Sequence, residues 1–442
     1  MNGISCEQII QWNREFESDP GRRLAELGLS KNNMADAAYV SSEGNRLRHK
    51  FSVDIKTMEA ANQKSSGRCW LFAAANVMRE IIAKKCDIEK FELSQSYLAF
   101  YDKFERCNYF LESIIETADR PTDDRTVALI LSTGVHDGGQ WDMFANIVKK
   151  YCLMPRDTFD ETFQSSNTAV MNRILNQNLK VCAVKLRGMA SGGASPEEIQ
   201  AEKNRMLGKL YSYLCSCYGE PPESFDFEYV DKDENYHIEK GYTPISFAEK
   251  YVGDVIDRMV SVIHAPTADK PYNRTFTVKY IGNVAGGKDV SHLNLSLDDF
   301  KAAVIRQLED GKPVWFGSDV SYYGERERGI WDDRSFDFEL LTGLDLEISK
   351  KDALDYGFSA MNHAMVLTGV NIDNGKPNRW KIENSWGDKS GEKGYYICSD
   401  SWFDRFVYQA AVEKEYLGDL QKYLDTEPIV LNPWDPMGTL AD

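Results

Sequence analysis

The chain reads as an α+β protein of two halves, helices first and strands last, with a cleft between them. Three observations carry that reading. The run from Cys69, CWLFAAANVMREIIAKKC, is rich in good helix formers and sets Leu71, Ala75, Val77, Met78, Ile81 and Ile82 mainly at helical spacing. Residues 138–155 open with Gly-Gly-Gln-Trp and continue as a second amphipathic helix. In the last third, HAMVLTGV (363–370), RWKIENSW (379–386) and GYYICS (394–399) are β-branched and aromatic runs parted by Asn, Gly and Asp turns, the pattern of an antiparallel sheet.

Taken in order, residues 1–55 mix short helical patterns with polar turns and form an N-terminal extension. Ser65, Ser66 and Gly67 serve as turn and cap residues, so Cys69 falls in the first turn of a buried helix within a helical half spanning 56–156. From 157 to 250 the texture changes. A Lys- and Glu-bearing helical stretch (196–217) runs into the acidic, proline-containing EPPESFDFEYVDKDENYHIEK, which reads as a helical insertion or peripheral lobe. A helix over Leu297–Leu308 starts at a loose capping box of Ser296 and Asp299 and stops at Gly311 and Pro313. It belongs to a β-rich half over 251–415, which leaves 416–442 as a C-terminal arm.

Composition bounds the function. The 442 residues are 42% hydrophobic and include 22 Tyr, 21 Phe and 9 Trp, which argues against disorder. A formal charge of −17 speaks against nucleic-acid binding, whose affinity rests on Lys and Arg neutralising phosphates. The start shows no basic region followed by an apolar run, and no stretch approaches the length of a membrane helix. Nine scattered cysteines form no regular disulfide framework, so a reducing cytoplasm is expected. Cys215-x-Cys217 has no matching pair at zinc spacing and no glycine-rich phosphate loop is present, so neither metal nor cofactor is expected.

A thiol in the first turn of a helix meets positive potential that lowers its pKa, which sets Cys69 apart from the other cysteines. By itself that position more often holds an inert cysteine. Its neighbours are more specific. Gln63 lies six residues earlier in QKSSGRCW, Asn362-His363-Ala364 opens a strand, and Glu383-Asn384-Ser385-Trp386-Gly387 follows. This set, in this order, resembles the papain-like cysteine peptidases. The resemblance implies Cys69 as nucleophile, His363 as general base and Asn384 as the group orienting it. Gln63 and the Cys69 N–H would form the oxyanion hole, with Trp70 and Trp386 in support and Trp386 shielding the Asn–His bond from water. Each residue alone reads as structural: His363 as a core histidine, Asn384 as a turn, Trp386 as core. His136, beside Asp137, is the nearest competing histidine, but nothing around it completes a triad. The secreted pattern C-G-[SA]-C-[WY] carries a disulfide cysteine where this chain has Ser66, and Arg68 precedes the nucleophile. That bridge cannot form, in keeping with the cytoplasm.

GGQWDMFANIVKKY, KPVWFGSDV, MNHAMVLTGV and the ending WDPMGTLA are similar to the bleomycin hydrolase and aminopeptidase C branch of that family. The implied fold is a helical half and an antiparallel β-barrel half, with an N-terminal extension, an insertion and a C-terminal tail in the cleft. Pro433, Pro436 and Gly438 make the tail unsuited to a helix or central strand. The resemblance implies that it blocks the non-primed side and turns a terminal carboxylate, on Ala441 or Asp442 according to whether the last residue is trimmed, to the substrate's α-ammonium. The expected function is a cysteine aminopeptidase acting on peptides with a free N-terminus through a thioester, extending to amides such as bleomycin, and assembled as a homohexamer. The alternatives are a papain-like endopeptidase with a free tail, and a nucleic-acid-binding or scaffold protein that retains the fold.

Overall fold

The computed structural model describes residues 1–441; Asp442 lies outside the described residues. Apolar periodicity builds the first half from helices Cys69–Cys86, Gln95–Glu116 and Trp141–Tyr151. Two long helices, Ala169–Ser191 and Pro196–Tyr218, pack on Gln95–Glu116 to make a satellite core with Phe110, Leu179 and Leu210. The second of them opens with Pro196 behind a Ser195–Glu198 capping box.

The second half is a 12-stranded sheet. Its centre runs Met259–Ile263, Val407–Glu413, Val314–Ser318, His363–Asp373, Lys376–Glu383 and Tyr395–Ser399, neighbour to neighbour and antiparallel. Three pairings nearer the edges are parallel, as between Tyr395–Ser399 and Ile330–Trp331. The central strands Val314–Ser318 and Val407–Glu413 are buried at every residue, because both faces of the sheet are covered. Alternation along a strand divides the core. Trp315, Ala364 and Val366 face the Cys69 helix, whereas Phe316, Met365 and Leu367 face the helix Leu297–Glu309 on the far side.

Two local expectations need correction. The segment 219–242 is not helical: Phe225–Val230 and Tyr236–Tyr242 form an antiparallel hairpin. Phe225 and Phe227 alternate with exposed Asp226 and Glu228 and pack on Phe247 and Tyr251, while Asp231 accepts the turn N–H groups of Asp233 and Asn235. The period-two aromatic signal lay beneath the acidic and proline content. Secondly, the Cys69 helix is preceded at its cap by Arg68, with no side-chain cap bond. The Ser66 hydroxyl is spent elsewhere.

Candidate active site

Cys69 is the first residue of its helix and is fully buried. The backbone N–H of Ala364 points at its Sγ, 3.4 Å away, so the sulfur lies against the residue that follows His363. His363 opens its strand opposite Ser318, and its Nε2 meets Asn384 Oδ1 at 2.9 Å. That bond commits Nε2 and leaves Nδ1 outside it. Trp386 lies over the imidazole, with ring centroids 4.9 Å apart. Burial pushes the His363 imidazole down to about 4, against the Asn384 bond, and Arg326 adds to the lowering. An imidazolium here therefore needs an anion beside it.

Gln63 is buried, and its amide orientation is decided by its partners. Nε2 donates to the Ser66 carbonyl at 2.5 Å, and a carbonyl can only accept; Oε1 accepts from the Ser385 hydroxyl at 2.6 Å. One Nε2 hydrogen is left beyond the bond to Ser66. Gln63 N–H also donates to the Ser385 carbonyl, so the glutamine is bolted to the residue after Asn384.

Buried charges hold the turn between Gln63 and Cys69. Arg68 donates Nε to Ser66 Oγ at 2.9 Å and forms a two-pronged pair with Glu161 at 3.1 and 2.9 Å. Ser66 Oγ in turn donates to the Gln63 carbonyl. Asp137 accepts from Lys103, Thr168, Asn172 and the Gly67 N–H. Burial alone would push the Asp137 carboxyl up, but Lys103 and these hydrogen bonds outweigh it and hold it well below the usual range. Trp70 is anchored by Nε1 to the Asp137 carbonyl at 2.6 Å. Asn76 and Arg79, further along the Cys69 helix, grip Glu383, the residue before Asn384, at 2.7 and 2.8 Å. Glu161, Asp137, Glu383 and Ser385 were not among the residues expected at the site. Only Glu383 and Ser385 had a local signal, from flanking Asn384.

The arm runs back over the helical half. Ile429–Leu431 pairs with Arg274–Val278, Asp435 meets buried Lys270 at 2.8 Å, and Arg125 stacks 3.7 Å above Trp434. Gln140 Nε2 donates to the carbonyls of Met437 and Thr439. Ala441 is fully buried and exchanges two backbone hydrogen bonds with Gly139, of 3.0 and 3.2 Å. A Cβ on Gly139 would lie 2.4 Å from the Trp70 ring, so only glycine lets the backbone come this close. Asp442, the other expected anchor, lies outside the described residues. His136 lines a cavity of about 450 Å³ under the arm; burial and the cations Arg106 and Lys103 push it to about 3. Among the described residues no cluster of His, Cys, Asp and Glu could hold a metal.

A helix-borne thiol, a strand-borne histidine and an asparagine across a two-walled cleft define the papain-like class of fold and site. Residues 3–438 match the Peptidase C1-like family, and the chain belongs to it. It is 46% identical to Aminopeptidase C of Lactobacillus delbrueckii subsp. lactis over 99% of this chain and 98% of that one. It is 42% identical to Aminopeptidase C of Listeria monocytogenes over 99% of both. The crystal structure of PepW from Lactobacillus rhamnosis superposes with a TM-score of 0.97 at 45% identity, covering 99% of each chain.

Proposed function

We propose that this cysteine aminopeptidase removes residues from free peptide N-termini through a thioester acyl-enzyme. Cys69 is the nucleophile, His363 the base and Asn384 the group that orients it. Its burial makes the His363 imidazolium stable only beside the Cys69 thiolate, so the two form a resting ion pair. The thiolate attacks the first peptide carbonyl, and Gln63 Nε2 with the Cys69 N–H takes up the oxyanion. His363 passes its proton to the leaving amine, then takes one from the water that releases the acyl group.

The observation that carries the exopeptidase reading is the antiparallel bridge of Ala441 to Gly139 beside Trp70. The chain's own tail occupies the backbone groups along which a longer substrate would lie, and its terminal carboxylate selects a free α-ammonium. If Asp442 is trimmed, Ala441 carries that carboxylate; if it is kept, Asp442 does. A charge-assisted bond of this kind is worth ~1.5–3 kcal/mol, roughly a ten- to hundredfold preference. The test is an amino-acid amide reporter in free and N-acetylated forms, with Cys69→Ser as the blank. At least tenfold faster turnover of the free form is expected, on the order of that bond. Equal or faster cleavage of the acetylated form would overturn the tail's role and favour an endopeptidase. Near-normal turnover in His363→Ala would remove the base.

Amides such as bleomycin fall within the same chemistry. A cytoplasmic homohexamer is part of this reading. It is supported by the helices Cys6–Ser18 and Pro20–Leu29, which bury no residue in one chain while presenting Ile9, Ile10, Trp12, Leu24 and Leu27. Mass photometry at the mass of one 50.3 kDa chain would refute the assembly.

A further inference from the structure

Arg326 lies in the turn between the short strands Gly324–Glu325 and Ile330–Trp331. Its guanidinium stands over the Trp386 ring, 4.7 Å from the centroid, and Trp386 covers His363 at 4.9 Å. The two contacts in series put the cation within ~10 Å of the imidazole, and the aromatic face fixes where it sits. Arg326 is exposed and joins no ion pair among the described residues. The neighbouring Glu325 carboxylate is taken up by the N–H groups of Glu327 and Arg328, and Arg328 turns to Tyr39 and Asn45. In a chain of charge −17, a guanidinium left uncompensated beside the histidine stands out. The arm's partners include Arg125, Gly139, Gln140, Lys270 and the strand Arg274–Val278, whereas Trp386 meets Asn62, Arg326, Trp331, His363 and Tyr396. The cation thus stands on the Trp386 and His363 side of the site, and the arm's terminal bridge lies at Gly139.

We propose that Arg326 binds the α-carboxylate of the leaving fragment, so that the enzyme favours dipeptides and tripeptides over longer or C-terminally blocked peptides. The inference rests on the aminopeptidase reading, in which the leaving fragment departs away from the arm. The span fits. A carboxylate one or two residues beyond the scissile nitrogen lies roughly 3.5–7 Å from it, since each residue extends ~3.5 Å. A charge-assisted contact of ~2.8 Å then reaches the guanidinium. A longer fragment carries its carboxylate past the cation. An acidic side chain on the first leaving residue offers the same group from another source.

The test compares kcat/KM for Leu-Ala and Leu-Ala-amide, and for Leu-Glu-amide and Leu-Gln-amide, in wild type, Arg326→Gln and Arg326→Lys at low salt. Each ratio is taken within one protein, so a general loss of activity cancels. The expected wild-type preference for free Leu-Ala is about two- to fivefold, within the range of a partly exposed ion pair. It falls to near one in Arg326→Gln and returns in part in Arg326→Lys. A wild-type ratio near one, or a ratio unchanged in Arg326→Gln, overturns the proposal. Preference for Leu-Glu-amide without preference for free Leu-Ala overturns the terminal carboxylate and leaves a side-chain site. The reporter pair distinguishes the two levels: a wild-type dipeptide ratio near one, with selectivity for the free amine intact, overturns the carboxylate site alone. Loss of that selectivity overturns the aminopeptidase reading and this proposal with it.

Discussion

The two walls of the cleft hold their side chains by different means. On the helical wall, the turn from Gln63 to Cys69 is fastened by buried ions, Arg68 to Glu161 and Lys103 to Asp137. On the strand wall, His363 itself is held by register against Ser318, by one neutral bond to Asn384 and by the Trp386 ring, and a buried ion pair, Glu383 to Arg79, stands behind Asn384. The backbone explains the difference. A strand inside a sheet is already positioned by the ladder on each side, whereas a turn entering a helix has no ladder and needs side chains to fix it. Secreted relatives of the class supply a disulfide at that turn; here Ser66 takes the cysteine's place and joins a non-covalent clamp with Arg68. Removing one buried charge should therefore damage the helical wall far more than removing one hydroxyl damages the strand wall.

Asp137→Asn should show the largest effect, because it leaves Lys103 buried without a counter-charge. The expected loss is about 3–5 kcal/mol in denaturant unfolding. Ser385→Ala, which removes a neutral bond to Gln63, should lose about 1 kcal/mol. Equal losses in the two variants would break the comparison.

Next in size is Gln63→Ala. The Ser385 and Ser66 bonds fix the amide of Gln63, the proposed oxyanion donor, so kcat should fall ~10²–10³-fold with KM little changed. A rise in KM at constant kcat would mean that Gln63 only binds substrate.

Acid sensitivity follows from burial. Burial pushes His264 and His292 down to about 4 and His136 to about 3. A histidine whose folded pKa lies below its unfolded value of about 6.5 leaves the unfolded chain holding more protons, so its contribution is complete above that value and is lost as pH falls toward 4. Each such group contributes about 3 kcal/mol at most across that window. The Asp137 carboxylate is depressed, so its share is lost only at lower pH, below the ordinary aspartate value of about 3.9. Thermal melts should fall between pH 6.5 and 4, and His292→Gln should flatten that slope. A melt that stays flat until below pH 4 would contradict the histidine assignment.

The smallest effect concerns the arm. Arg125→Gln removes the cation above Trp434, worth about 0.5–1 kcal/mol. Hydrolysis of the N-acetylated reporter should rise slightly as the arm loosens. No change would mean that the backbone bonds to Gly139 and Gln140 hold the arm unaided.

The Cys69 helix and the strands His363–Asp373, Lys376–Glu383 and Tyr395–Ser399 were legible because helical and strand periods are local properties of sequence. The motifs around Gln63, Cys69, His363 and Asn384 were legible as motifs, because each is short and local. The hairpin at 225–242 escaped because its aromatic alternation is six residues long and lies within an acidic stretch. The long helix Ala169–Ser191 carries Val170, Ile174, Val181 and Val184 exposed, so its apolar pattern did not mark one buried face.

What the sequence alone determined is which residue types stand at the proposed reacting positions and which local element carries each one. The tertiary structure alone decided their partners: Glu161 for Arg68, Asp137 for the Gly67 N–H, Ser385 for the Gln63 amide, Arg326 over Trp386, and Gly139 for the end of the arm. Those contacts join segments separated by 60 to more than 300 residues, and only the last two need no buried polar side chain. No local period encodes such a pairing. It is selected when the chain closes, because a charge or amide taken out of water must find a partner wherever the fold brings one.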